Sequence, residues 1–113
     1  MTTLAKTTIL GCDFDLDECA DIATHGCIAG VPGFTYQVEL IEAYDKYEYM
    51  IMNELEDWAQ ELGESDAMQM ITDSLRRRHI TPTLDDIKGC AVWMYVEKIA
   101  YDFCIEEGHK DFV

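Results

Sequence analysis

Hydrophobic positions along the chain fall into helical-period stretches separated by glycine or proline breaks. The Thr-rich, β-branched start, residues 1–11, predicts a short strand or an ordered arm. Leu16, Cys19, Ala20 and Ile22 or Ala23 then recur at helical spacing. They predict a first helix capped by Asp13 or Asp15, with acids in its first turn and an end at about Thr24. His25-Gly26 stops it, and the glycines and Pro32 of residues 26–35 exclude a regular helix there. From Tyr36 to Leu62 the pattern predicts one long helix, or two joined by a bend near Asp45. Its buried stripe is Ile41, Tyr44, Ile51, Leu55, Trp58 and Leu62, with Glu48 as a polar intruder. Gly63 ends this helix. Ser65 is placed to cap a third, from Asp66 to about Arg78, that buries Met68, Ile71 and Leu75.

Thr81-Pro82-Thr83 breaks the chain again, and Thr83 is a good N-cap for a last helix with Asp85 and Asp86 in its first turn. From Gly89 to Ile105 this helix is apolar nearly all round, the pattern of a buried bundle centre, and the tail from Gly108 to Val113 is expected to fray. The expected fold is all-α: one domain over residues 1–113, a compact bundle of four to five helices. Its long acidic helix lies outside and its apolar C-terminal helix forms the core.

Composition supports folding. The 113 residues include two Trp, six Tyr and four Phe, enough aromatic mass for a proper core. The longest apolar run, Gly89 to Val96, is too short to span a bilayer, and the N-terminus lacks the apolar segment of a signal peptide. A cytoplasmic location follows as the expectation, with the five cysteines as free thiols.

Charge changes the picture most. Twenty-three acidic residues against eight basic ones give a net charge of −15, and residues 35–66 hold ten carboxylates against one lysine. Such self-repulsion points to solubility or to a partner. On the long helix Glu39, Glu54, Asp57 and Glu61 are read as an outward ridge, flanked by Glu42, Asp45 and Glu56. Neighbouring carboxylates on a helix stand roughly 5–6 Å apart, of the order of the phosphate spacing in nucleic acid. Tyr49 and Met50, with Tyr47, project among these charges where polar residues are expected, and resemble the anchors of protein interfaces. The candidate partner-binding set is therefore Glu39, Glu42, Tyr49, Met50, Glu54, Asp57 and Glu61.

Other chemistry is thinner. Arg76, Arg77 and Arg78 suit the end of a helix, and three arginines on a chain of this charge do not suit direct nucleic-acid binding. Cys12, Cys19, His25 and Cys27 lie close in sequence, but without a C-x-x-C and with Cys19 at an apolar helical position. The zinc reading, on Cys19, His25 and Cys27, is the weaker one. Cys90 and Cys104 are about 21 Å apart along one helix and cannot bridge. No P-loop, dinucleotide fingerprint or H-E-x-x-H motif is present, so no enzyme activity, cofactor or metal is expected.

His25, Gly26, Gly30, Gly33, Phe34 and Tyr36, followed by an acidic helix, resemble a pattern of small acidic proteins encoded by phages and mobile elements, with looser similarity through Leu62-Gly63 and Trp93 to Glu97. Phe34 and Tyr36 suit a hydrophobic staple for the long helix. The resemblance implies a phage or plasmid accessory protein. By analogy of charge and size it implies an anti-CRISPR or anti-restriction inhibitor that imitates DNA on a nucleic-acid-handling surface of a bacterial defence complex. The competing expectations are an adaptor, or a homodimer, that uses the Tyr/Met patch.

Overall fold

A computed structural model, describing residues 5–25, 37–110 and 112, turns the Thr-rich start into a β-hairpin. Strands β1 (Lys6–Ile9) and β2 (Cys12–Asp15) pair antiparallel, Lys6 opposite Asp15 and Ile9 opposite Cys12. The two-residue turn has Leu10 at φ 51° and Gly11 at φ 84°, the positive values that a type I′ hairpin requires. Alternation sorts the faces. Ile9 and Phe14 are buried, while Thr8 faces the other way and donates through Oγ1 to Asp13 at 2.7 Å. The purely all-α expectation is thus corrected to a mainly helical chain with a small sheet. The hairpin escapes periodicity because its turn is Leu-Gly rather than Asn-Gly.

Helix α1 (Leu16–His25) follows β2 directly. Asp15 caps it reciprocally: its Oδ1 accepts from the Glu18 N–H at 2.8 Å, and Glu18 Oε1 accepts from the Asp15 N–H at 3.1 Å. The expected loop over residues 26–35, with the staple pair Phe34 and Tyr36, lies outside the described residues. Helix α2 (Gln37–Glu61) is long and leaves helical geometry at Tyr47 (φ −120°, ψ 21°), two residues past the expected bend. Helices α3 (Ala67–Arg77) and α4 (Leu84–Glu106) complete the order.

The helix ends explain themselves. At the end of α2, Gly63 sits at φ 77°, the Glu64 N–H bonds Ala59 O, and the Gly63 N–H bonds Gln60 O. At the end of α4 Gly108 does the same at φ 67°, with the His109 N–H on Cys104 O. These are Schellman caps, where glycine adopts the left-handed region without a Cβ penalty. Helix α3 ends in the same pattern on a non-glycine, His79 at φ 60°, with the Ile80 N–H on Leu75 O. The cap at its start is Asp66, not Ser65: Asp66 Oδ1 accepts from the Gln69 N–H at 2.7 Å. The buried face accordingly takes Ala67, Met70, Ile71 and Leu75, and Met68, one step round the helix, is exposed.

The chain divides into two compact units, residues 1–35 with 96–113 and residues 36–95. In the first, Ile9, Phe14, Cys19, Ile22, Val96, Ala100 and Cys104 are buried. The tail does not fray over its described residues. His109 is buried with Nε2 3.4 Å from Asp17 Oδ1, and Phe112 makes edge-to-face contacts with His109 and Tyr101. In the second unit the buried stripe of α2 is Leu40, Tyr44, Ile51, Leu55 and Ala59, joined by Ile71, Leu75, Ala91 and Val92. Ile41 and Trp58 are half-buried, and Leu62, beyond the helix end, is exposed.

Candidate docking surface

The outward side of α2 runs through Glu42, Asp45, Lys46, Tyr49, Met50, Asn53, Asp57, Gln60 and Glu61, all exposed. The steps of three and four residues keep these side chains on one side of the helix. Tyr49 is 83% exposed, the highest of the large hydrophobic side chains among the described residues, and Met50 beside it is 43% exposed. Tyr47 is half-buried beside them, with Lys46 Nζ 5.3 Å from its ring centre.

The acidic row is less regular than a helical wheel suggests. Glu39 and Glu54 are half-buried. Each immediately precedes a buried leucine, Leu40 or Leu55, so each stands beside the buried stripe rather than opposite it. Glu54 lies near Tyr95, whose phenol is held above its ordinary pKa first by burial and then by the Glu54 charge. Glu56 is a structural acceptor: its Oε1 takes the Ala67 N–H at 3.1 Å and so tethers the start of α3 to α2. Asp45 holds Lys88 of α4 at 2.8 Å, which raises the Lys88 pKa chiefly through that hydrogen bond. Glu48 accepts from the Tyr44 hydroxyl at 3.4 Å, and the Tyr44 pKa rises by burial and then by that charge.

What remains outward is Glu42 near one end and Asp57 with Glu61 near the other. Those two stand one turn apart, and none of the three has an ion-pair partner among the described residues. Glu42 and Asp57 are about 22 Å apart along the axis of a straight helix. Between them the surface is Tyr49, Met50 and Asn53. The seven residues singled out from sequence therefore fall into an apolar centre (Tyr49, Met50), outward acids (Glu42, Asp57, Glu61) and half-covered acids (Glu39, Glu54).

The thiol cluster does not assemble as a ligand set over the described residues. Cys19 is fully buried, and burial, then Cys104, Glu18 and Asp15, push its thiol up to about 12, so it is a neutral, small apolar side chain near neutral pH. Cys27 lies outside the described residues, and no group of three His, Cys, Asp or Glu suited to a metal occurs among those described. Cys12, Cys19, Cys90 and Cys104 are unbridged. The arginine cluster closes α3, where Arg76 and Arg77 meet the negative end of the helix dipole. Among the described residues no helix is long and apolar enough to cross a membrane.

No curated protein and no solved structure matches this chain. A family model does, over residues 14–109, a span from the buried Phe14 of the hairpin to the buried His109 after α4. The chain belongs to the family described as Domain of unknown function (DUF7222).

Proposed function

We propose that this is a non-enzymatic inhibitor from a phage or mobile element. It acts in the bacterial cytoplasm, where the exposed face of α2 docks onto a basic surface of a defence complex, a CRISPR effector first and a restriction enzyme second. One observation carries the reading: Tyr49 and Met50 stand open on that face between Glu42 and the Asp57–Glu61 pair, on a chain of net charge −15. Asp57 and Glu61 take lysines or arginines that otherwise hold phosphates, and Tyr49 and Met50 supply the desolvated contact between the charged ends. The carboxylates thus imitate phosphate charge at the ends of the face. Interrupted by an apolar centre, the surface fits a protein groove better than a uniformly spaced phosphate row would.

The test is expression in bacterial strains carrying defined CRISPR–Cas or restriction systems, scored by phage plaquing. Plaquing is expected to recover in at least one strain and to be lost again with Asp57→Lys/Glu61→Lys. Unchanged plaquing across the panel, or full activity of the reversed variant, contradicts the proposal. The exposure of Tyr49 also supports a second reading, an adaptor or homodimer joined through the apolar centre. Light scattering would then show a dimer mass that Tyr49→Ala reduces to a monomer and salt leaves intact.

A further inference from the structure

A cleft of about 220 Å³ opens within the second unit, away from the outward face of α2. Leu40, Leu75, Ile80 and Trp93 make its apolar walls, and Arg78, Asp85 and Asp86 bring charge to it. Local structure builds the site. The left-handed turn at His79 brings Ile80 back beside Leu75. At Gly89 the α4 backbone runs beside Leu40, whose Cδ1 would lie 3.6 Å from an added Cβ, an ordinary van der Waals distance. The volume falls below the roughly 300–1,000 Å³ that holds drug-sized ligands, and suits a single body of amino-acid size.

The polar groups restrict the ligand further. Arg78 is held by weak partners: Nη2 lies 3.4 Å from Cys90 Sγ and Nε 3.5 Å from Ser74 O. A thiol is a poor acceptor, and Arg78 has no carboxylate partner among the described residues, on a chain with 23 acids. Asp86 is engaged with Thr83 at the start of α4, at 2.8 Å, whereas Asp85 makes no hydrogen bond among the described residues and acts on Lys88 through its charge alone. A purely apolar ligand would desolvate the guanidinium without giving it an acceptor. A simple anion meets Arg78 but is opposed by Asp85 and Asp86, and a simple cation meets the reverse. A molecule with both charges on an apolar body satisfies every group.

We propose that this cleft binds a small zwitterion with an apolar side chain, of which a free α-amino acid such as L-phenylalanine is the simplest. Its carboxylate sits on Arg78, its ammonium on Asp85, and its side chain against Leu40, Leu75 and Trp93. The site stands independently of the docking proposal for α2. The experiment is amide NMR titration of the full chain with L-phenylalanine, N-acetyl-L-phenylalanine and L-phenylalanine amide. Saturable shifts are expected at Gly89, Cys90 and the Trp93 indole, with each capped form at least about tenfold weaker, as loss of one charge-assisted contact implies. Arg78→Gln should weaken the free amino acid but not the amide, and Asp85→Asn should weaken it but not the N-acetyl form. Both positions are exposed, so the variants are expected to melt as the parent does. Absence of shifts at millimolar ligand, shifts away from the cleft, or equal binding of all three compounds would overturn the assignment. Tighter binding of N-acetyl-L-phenylalanine than of the free amino acid would overturn it too, and would mark the cleft as an anion site.

Discussion

The two units are closed in different ways. In the first, residues far apart in sequence meet: His109 reaches Asp17 across 92 positions. In the second, α2, α3 and the start of α4 follow one another through short turns, and its Lys88–Asp45 bridge spans 43 positions. Closing a longer loop costs more chain entropy. The first unit therefore depends on both ends of the chain, and the second on local order. The exposed α2 face and the cleft both belong to the locally built unit.

The largest expected effect separates the units by their cores. Phe14→Ala should cost about 3–5 kcal/mol and Leu55→Ala about 2–5 kcal/mol. In hydrogen exchange Phe14→Ala should deprotect α1 and the end of α4 before α3, and Leu55→Ala should do the opposite. Uniform loss of protection in both variants would mean that the units unfold as one.

Alkaline pH should act on the first unit next most strongly. The Cys19 thiol ordinarily titrates near 9.0, and in the fold it does so near 12. Between those values the native protein keeps a proton that the unfolded chain has released. The stabilisation is therefore complete below about pH 9 and is lost as pH rises towards 12, on the order of a few kcal/mol in all. Cys19→Ala should flatten this alkaline slope in chemical denaturation, and an unchanged slope would assign it elsewhere.

In the second unit His79→Gly should stabilise by about 1 kcal/mol, because a left-handed residue carrying a Cβ is replaced by one without. A fall in melting temperature would mean that the His79 side chain holds the turn. Asp57→Lys/Glu61→Lys should have the smallest effect on folding, within about 0.5 kcal/mol, since exposed charges far from specific contacts rarely do more.

Much of this contrast is legible in the sequence, and unevenly so. Helical periodicity locates the four helices of the described residues. The bend of α2, the stops at Gly63 and before Pro82, and the Thr83 cap, where Thr83 Oγ1 accepts from the Asp86 N–H at 3.2 Å, are each local signals. The hairpin is obscured by a Leu-Gly turn whose positive φ at Leu10 goes with burial of that side chain. The anchored tail depends on Asp17, a partner that no local pattern reveals. On the outward face of α2, exposure of Tyr49 and Met50 agrees with their positions in the helix. The charge of Glu54 acts on Tyr95, and Glu56 takes its role from the start of α3, both tertiary facts.

On the proposal above, the exposed face of α2 recognises a basic, nucleic-acid-handling protein. A pull-down from lysate of a strain with an active defence system, comparing the parent with Asp57→Lys/Glu61→Lys in low and high salt, tests it most directly. The parent is expected to recover a component of the defence complex at low salt, and high salt or the double reversal to release it. Equal recovery by the reversed variant, or a defence component retained by both through high salt, would contradict it.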